Sequence, residues 1–148
     1  ALNNLEFIKE ASNEFGSSTI TISIDVKKTL FFGNKVFIFS GSKNLRLNPE
    51  TIAKQVQDSG AGEIIINSID NDGMMKGYDI PLINLISRKV TIPVVALGGA
   101  SSLNDFKIAV DKGFASAVAA GSLFVYHGER KAVLINYPSQ KELISLFN

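Results

Sequence analysis

Apolar residues recur along this chain at two spacings, one typical of helices and the other typical of strands. Helical spacing over 2–15 predicts an amphipathic helix. The β-branched run 18–24 predicts a buried strand that ends at Asp25. Aromatic and aliphatic residues on either side of the turn-forming pair 33–34 predict a β-hairpin over 27–40.

The rest of the chain alternates between short apolar runs and amphipathic runs. The predicted strands are 63–67, 92–97 and 114–119. The predicted helices begin after Asn48, near Asp79, after Ser102 and after Ser139. Strands that alternate with helices predict a parallel α/β sheet, and we expect its apolar strands to be covered on both faces.

Two architectures fit one helix followed by four βα units. One is a small doubly wound sheet, and the other is half of a (β/α)₈ barrel, whose full length is about 250 residues. The chain has 148 residues and no visible linker, so 1–148 is predicted to form a single segment. Both architectures place the functional residues at the carboxyl ends of the strands.

Composition and charge exclude several kinds of binding partner and site. Fifteen basic and 14 acidic residues give a net charge of +1, which argues against a nucleic-acid partner. The longest near-continuous apolar run, 115–126, is too short to cross a membrane. The absence of cysteine excludes disulfides and zinc–thiolate sites and favours a cytoplasmic protein. Because the chain begins at Ala1 without a methionine or signal sequence, we expect a fragment or processed product.

Acidic and amide side chains follow the earlier predicted strands, and small residues follow the later ones. These strand-end residues are Asp25; Asn67, Asp72 and Gly73; Gly98 and Gly99; and Ala120, Gly121 and Ser122. Glycines just before helix starts leave backbone N–H groups free for an anion, so a phosphate site is predicted there. Ordinary turn glycines would give the same pattern.

Two carboxylates are candidates for roles at opposite ends of the sheet. Asp25 at a strand's carboxyl end is a candidate general acid or base, or else a loop-capping residue. Glu63 stands at a strand's amino end, where a charge is usually solvated, although in a barrel it would join a ring across the axis. The acidic run 68–73 resembles a calcium loop but has Pro81 where the last ligand belongs, so no metal is predicted.

Four separated motifs together resemble one enzyme family. They are 24–28, 60–64, 68–73 with 77–79, and 98–100. In order and spacing they resemble the cyclase subunit of imidazole glycerol phosphate synthase, a (β/α)₈ barrel of histidine biosynthesis. The resemblance covers essentially the whole chain. It implies that the chain is the carboxyl-terminal half of the barrel, with strands five to eight.

The resemblance implies a reaction and its partners. Ammonia from a glutaminase subunit, docked at the barrel's amino-terminal face, reacts with a bis-phosphorylated nucleotide to give imidazole glycerol phosphate and aminoimidazole carboxamide ribotide. No metal or organic cofactor is implied. The implied roles are one acid/base member for Asp25, phosphate contacts for Asp72, Gly73, Gly99 and Ala120, mouth-lining positions for Ser40 and Asn67, and the ammonia gate for Glu63.

Several departures limit what the resemblance implies. The family's second catalytic aspartate and other phosphate site belong to the first half-barrel, so the chain is expected to be inactive without that half or a second copy. Asn67 replaces a usual threonine and Leu97 a small hydroxyl residue, and the Gly121-Ser122 pair is shifted from the family pattern. The tail 131–139 is similar to a branch that amidates surface sugars. A non-catalytic phosphate-binding half-barrel is the other alternative.

Overall fold

The computed structural model describes residue 2 and residues 4–128 and 132–148. The helices are α1 (Leu5–Phe15), α2 (Pro49–Asp58), α3 (Ile80–Ser87), α4 (Leu103–Asp111), α5 (Ser122–Val125) and α6 (Gln140–Phe147). The strands are β1 (Thr21–Thr29), β2 (Gly33–Ile38), β3 (Lys43–Asn44), β4 (Glu63–Ser68), β5 (Val94–Leu97), β6 (Ala117–Val118), β7 (Tyr126–His127) and β8 (Ala132–Val133). A 3₁₀ turn covers Ser17–Thr19.

The main sheet is wound in one direction only. Its strand order is β3-β2-β1-β4-β5-β6, and β1, β4, β5 and β6 run parallel. Each later parallel strand joins the same edge, as in a barrel, whereas a doubly wound sheet reverses its order at a switch point. The parallel α/β fold is therefore confirmed as a partial barrel, and the doubly wound alternative is wrong.

The predicted hairpin is present, but its turn lies elsewhere. β1 continues past Asp25 to Thr29, and the turn covers 30–32 instead of 33–34. Two neighbours extend β1, because β2 pairs with it on one side and the loop after β4 bonds it on the other. Ile69 N donates to Val26 O at 2.9 Å, and Lys28 N donates to Asp70 Oδ2 at 2.8 Å.

The expectation that both faces are covered is wrong for β1 and β4, although β5 has buried residues on both faces. In β1 and β4, alternate residues are buried, including Ile24 and Ile66, while Thr21 and Ser23 are exposed. The buried side chains pack against Ile8 of α1 and against α2 and α3. The other face of these strands has no covering layer in the described part of the chain, because an incomplete barrel leaves its interior open.

Element ends follow local capping. α1 begins at Leu5, later than predicted, because the Asn4 side chain accepts a hydrogen bond from Phe7 N at 3.3 Å. β6 is shorter than the predicted 114–119, and Phe114 takes the left-handed conformation at φ 57° before it. In the described residues no helix combines the length and apolarity that a membrane crossing requires.

Candidate functional site

A row of side chains crosses the sheet at the carboxyl ends of its strands. Asp25 of β1 is directly opposite Asn67 of β4, which is in turn opposite Leu97 of β5. The Asn67 amide nitrogen Nδ2 donates to Asp25 Oδ1 at 3.0 Å, and both residues are half-buried. Asp25 Oδ2 has no hydrogen-bond partner among the described residues, so it is the oxygen available for proton transfer.

Gly98 forms a close wall beside this pair. Its φ is 87°, and a Cβ there would stand 2.7 Å from both Asn67 Oδ1 and the Ser68 carbonyl oxygen. Asn67 Oδ1 is itself buried and lacks a partner among the described residues. A buried acceptor without a partner is costly in free energy. The Asn67 amide therefore holds Asp25 through Nδ2, while its oxygen is enclosed behind Gly98.

The loop after β4 closes against Gly99. Gly77 N donates to Gly99 O at 2.8 Å, and Asn71 Nδ2 donates to Gly77 O at 3.0 Å. Gly99 has φ 112°, and a Cβ there would lie only 2.3 Å from Gly77 O. The approach of these two backbones therefore requires glycine at 99.

Asp72 and Gly73 lie at the exposed rim of the same loop. Asp72 N donates to Ser68 O at 2.9 Å, which forms the turn that presents the Asp72 side chain to solvent. Gly73 has φ 71° and open space around its Cβ position. Its amide has no partner among the described residues, so it is available to an anion.

The loop after β6 comes next to the Gly98–Gly99 turn. Ala119 N donates to Ala96 O at 2.8 Å, so Ala120, Gly121 and Ser122 follow β6 at the level where Gly98 follows β5. The amides of Gly121 and Ser122 lack partners among the described residues. The three loops together therefore present unpaired backbone donors at one end of the sheet.

The two backbone amides just before α4 are not available to an anion. The Asp105 carboxylate accepts from Ser101 N, Ser101 Oγ and Ser102 N at 2.7–2.9 Å, and thereby occupies the two amides that immediately precede α4. Burial acts to raise the pKa of Asp105, but these hydrogen bonds outweigh it and hold the pKa below its usual value. α5 has only four residues. The loop amides of Gly73 and Gly121 lack partners among the described residues and remain available to an anion.

Sequence reasoning missed Tyr78 as a link between two loops. Its hydroxyl donates to Ala119 O at 2.8 Å, which connects the loop after β4 with the loop after β6. The buried ring packs beside Phe106, with centroids 6.4 Å apart. Burial, with a smaller contribution from Asp105, raises the pKa of Tyr78 well above 10, so the hydroxyl keeps its proton at neutral pH. The only sequence signal was its place in the 77–79 motif.

Replacing Tyr78 with phenylalanine tests this link. Tyr78→Phe removes one partly buried hydrogen bond and leaves Ala119 O unpaired, so we expect the free energy of unfolding to fall by about 1–3 kcal/mol. Urea titration measures that loss. Tyr126→Phe, at an exposed tyrosine, is the control and should change stability by less than about 0.5 kcal/mol. Equal losses in the two variants would show that the hydroxyl of Tyr78 links nothing.

Ser40 lies in the turn after β2. It is exposed, with φ 54°. The next residue, Gly41, approaches Ile69, because a Cβ on it would stand 3.2 Å from Ile69 Cδ1. The turn therefore lies beside the carboxyl end of β4. Ser40 is at the edge of the candidate site, and among the described residues no hydrogen bond joins it to Asp25.

Glu63 lies at the opposite end of β4. Its carboxylate oxygen Oε2 accepts from Thr21 Oγ1 at 3.3 Å, and Thr21 is directly opposite it in β1. Glu63 and Asn67 point to the same face of the strand because they are four residues apart. Strand geometry separates them by about 13 Å. Among the described residues no group of three or more acidic or histidine side chains could hold a metal.

Comparison with known proteins identifies the family of the chain. Residues 1–131 match the family model described as "Histidine biosynthesis protein". The chain is 43% identical over 141 residues to the imidazole glycerol phosphate synthase subunit HisF of Natranaerobius thermophilus, which covers 95% of the chain and 56% of that protein. It is 42% identical over 143 residues to the provisionally named subunit hisF2 of Pseudomonas aeruginosa, covering 97% and 57%.

A third relative extends the comparison. The HisF subunit of Sulfolobus acidocaldarius is 43% identical over 129 residues, covering 86% of the chain and 49% of that protein. The chain thus spans about half the length of the curated relatives that it matches. Given the matched family model and these identities, the chain belongs to the histidine biosynthesis protein family.

Proposed function

We propose that this chain is the carboxyl-terminal half of an ammonia-dependent cyclase that forms imidazole glycerol phosphate and aminoimidazole carboxamide ribotide. One observation carries the proposal most directly. Asp25, with one oxygen held by Asn67 and the other free, lies on the same sheet face and end as the glycine-rich loops that present unpaired amides. An acid/base group beside an anion-binding surface suits a phosphorylated substrate.

In this role Asp25 exchanges a proton with the substrate through Oδ2. The amide of Asn67 fixes Oδ1, which orients the carboxylate without neutralising it. Substrate phosphate is bound by the backbone amides at Gly73, Gly99 and Gly121, whose small size permits close approach. The role needs no metal ion or organic cofactor.

Glu63 is proposed as one member of the gate through which ammonia enters from a glutaminase subunit. It lies at the amino end of β4 and faces the same side of the sheet as Asn67. Thr21 Oγ1 holds its carboxylate at the edge of the interior. Glu63 and Asn67 are about 13 Å apart, so a path along one face of the sheet joins the proposed gate to the candidate site.

The open interior supports assembly with a first half-barrel. Over Thr21–Ile24, β1 pairs only with β4, and in the described part of the chain β6 pairs only with β5. Unpaired strand edges associate readily with other strands. Strands one to four of a closed barrel would pair with both free edges and cover the open face of the sheet. A second copy of the chain is the alternative partner.

An activity assay on the protein as its host makes it tests the function. A mass near twice 16 kDa identifies a chain with both halves, and we expect such a protein to convert the bis-phosphorylated substrate when ammonium is supplied. Glutamine should support turnover only after a glutaminase subunit is added. Absence of ammonium-dependent turnover by the two-half protein would contradict the proposal.

Glu63→Gln separates the gate from the chemistry. We expect glutamine-dependent turnover to fall by about tenfold or more, an effect of roughly 1.4 kcal/mol on the transfer step, while ammonium-dependent turnover changes less than twofold. Equal losses with both nitrogen sources would assign Glu63 a structural role through its contact with Thr21.

A further inference from the structure

The hairpin side of the sheet carries an excess of positive charge, and in the described residues none of its cations forms an ion pair. Between Asp25 and Glu50 the sequence has no acidic residue and five basic ones: Lys27, Lys28, Lys35, Lys43 and Arg46. The ion pairs found among the described residues involve other cations, namely Lys9, Lys54 and Lys107. Clustered cations of one sign create a local positive potential that attracts anions.

Two of these cations are directly opposed across the hairpin. Lys27 of β1 is the cross-strand partner of Lys35 of β2, so both side chains leave the same face. Like charges in this position repel each other. The Lys35 ammonium donates to Asn48 Oδ1, a neutral acceptor that leaves its charge intact. A bound anion would relieve the repulsion.

A groove of about 580 Å³ lies beside this pair. It is lined by Phe32, Lys35, Asn44 and Arg46. Its volume is in the range of small-molecule sites. Asn44 Oδ1 already accepts from Arg46 N at 2.7 Å, so the polar groups left to a ligand are N–H donors: an ammonium, a guanidinium and an amide. Because the lining side chains offer donors and no free acceptor, they favour a ligand that supplies many acceptors, such as phosphate oxygens.

The backbone fixes one of the cations. Arg46 takes the left-handed conformation, with φ 59°, and the bond from its amide to Asn44 Oδ1 holds it there. A non-glycine residue in this region is strained, and such strain is concentrated at ligand clamps and active sites. The turn thereby fixes the backbone of Arg46 beside the groove that its side chain lines.

The rim of the groove supplies an aromatic surface. Phe32 is 74% exposed at the hairpin turn. An exposed ring next to two cations offers a stacking surface for a planar base, as well as charge for the phosphates attached to it. Asn44 is the partner of Phe37, which is opposite Asp25, so these residues share the sheet face of the candidate active site. The groove itself is lined from β2 and β3, on the hairpin side of Asp25.

We propose that this groove binds a nucleoside diphosphate, with the base against Phe32 and the phosphates on Lys35 and Arg46. It is a second site, apart from the loops around Gly99. The proposal does not depend on the proposed cyclase activity, because the groove uses none of the residues assigned to that reaction.

Titration calorimetry with ADP tests whether the charges of Lys35 and Arg46 contribute to binding. It uses the protein purified as its host expresses it. We expect binding that weakens as salt rises, and at least fivefold lower affinity in Lys35→Gln and in Arg46→Asn. Asparagine tolerates the left-handed conformation at 46, so that variant should fold. Lys43→Gln is the matched control, since Lys43 is exposed on the hairpin and does not line the groove, and it should stay within twofold.

Pyrophosphate and Phe32→Ala test the aromatic contribution. ADP should bind more tightly than pyrophosphate to the unaltered protein, and Phe32→Ala should remove that preference. Gly99→Val separates the two sites, because ADP affinity should be unchanged in it while phosphate binding at the active-site loops is weakened. Three results would each overturn the proposal: no ADP binding at millimolar concentration, equal effects of Lys35→Gln and Lys43→Gln, or loss of ADP binding in a Gly99→Val variant (or Asn71→Ala, if Gly99→Val does not fold) that is shown to be folded.

Discussion

Asp25→Asn in the complete enzyme is expected to reduce kcat for ammonium-dependent turnover by about 10²–10⁴-fold, while KM changes little. That range is typical for the loss of a general acid or base. The substitution keeps the local hydrogen bond, because an asparagine carbonyl oxygen at 25 still accepts from Asn67 Nδ2. Only the ability to exchange a proton through the second oxygen is removed. Steady-state kinetics with the bis-phosphorylated substrate measure both constants.

Asp58→Asn is the control for Asp25→Asn. Asp58 is an exposed carboxylate at the end of α2 that pairs with Lys54 at 2.7 Å, so the same chemical change should leave kcat within twofold. If Asp25→Asn lowers substrate affinity and kcat together, and also lowers the free energy of unfolding, the aspartate has a structural role.

The placement of Asp25 beside Asn67 could be predicted from the sequence because it depends on strand order alone. Each was assigned to the carboxyl end of a strand, and parallel neighbours bring such ends together. The structure puts them in register, 42 residues apart along the chain. Glu63 at the other end followed from the same logic. Their chemical roles remain proposals.

The hairpin turn could not be placed correctly because its residues are apolar, as the residues of a strand usually are. Leu30, Phe31 and Phe32 are exposed at the turn, whereas apolar residues are normally assigned to buried segments. Gly33, with φ 65°, begins β2 instead of forming the turn. Pairing decided the position: Thr29 is opposite Gly33, and the loop after β4, about 40 residues away along the chain, bonds the end of β1.

The sequence of β1 indicated burial on one face only, but the sequences of the later strands indicated burial on both faces. Its residues alternate between polar and apolar, from Thr21 to Val26, as expected for a strand with one open face. The isoleucine runs of the later strands do not alternate and indicated full burial. In a chain that holds half a barrel, the interior side chains of those strands are apolar because a complete barrel packs them together.

Long-range side-chain contacts were beyond the sequence pattern. The bond from Tyr78 to Ala119 O joins residues 41 apart, and nothing in local periodicity indicates it. Likewise, Asp105 reads as an ordinary first-turn acid of α4, yet its carboxylate takes the amides of Ser101 and Ser102. That contact changes which backbone donors remain for phosphate, so it alters the chemistry of the site.

Gly99→Val is expected to have the largest effect on the binding surface. A Cβ at this position would stand 2.3 Å from Gly77 O, and φ 112° is unfavourable for valine. The loop after β4 must therefore move away, which breaks the bond from Gly77 N to Gly99 O at 2.8 Å. We expect the affinity for imidazole glycerol phosphate to fall at least tenfold and the free energy of unfolding to fall by about 1–3 kcal/mol.

A matched glycine and a milder variant make Gly99→Val decisive. Gly16→Val also places valine at positive φ, 83°, but with no atom within 4 Å of its Cβ and far from the loops, so it should lower stability without weakening phosphate binding. If Gly99→Val does not fold, Asn71→Ala removes only the bond to Gly77 O at 3.0 Å, and should weaken binding severalfold. Unchanged affinity in the folded variants would mean that phosphate is not bound at the Gly99 turn, because both changes act on the contact that closes the loop over it.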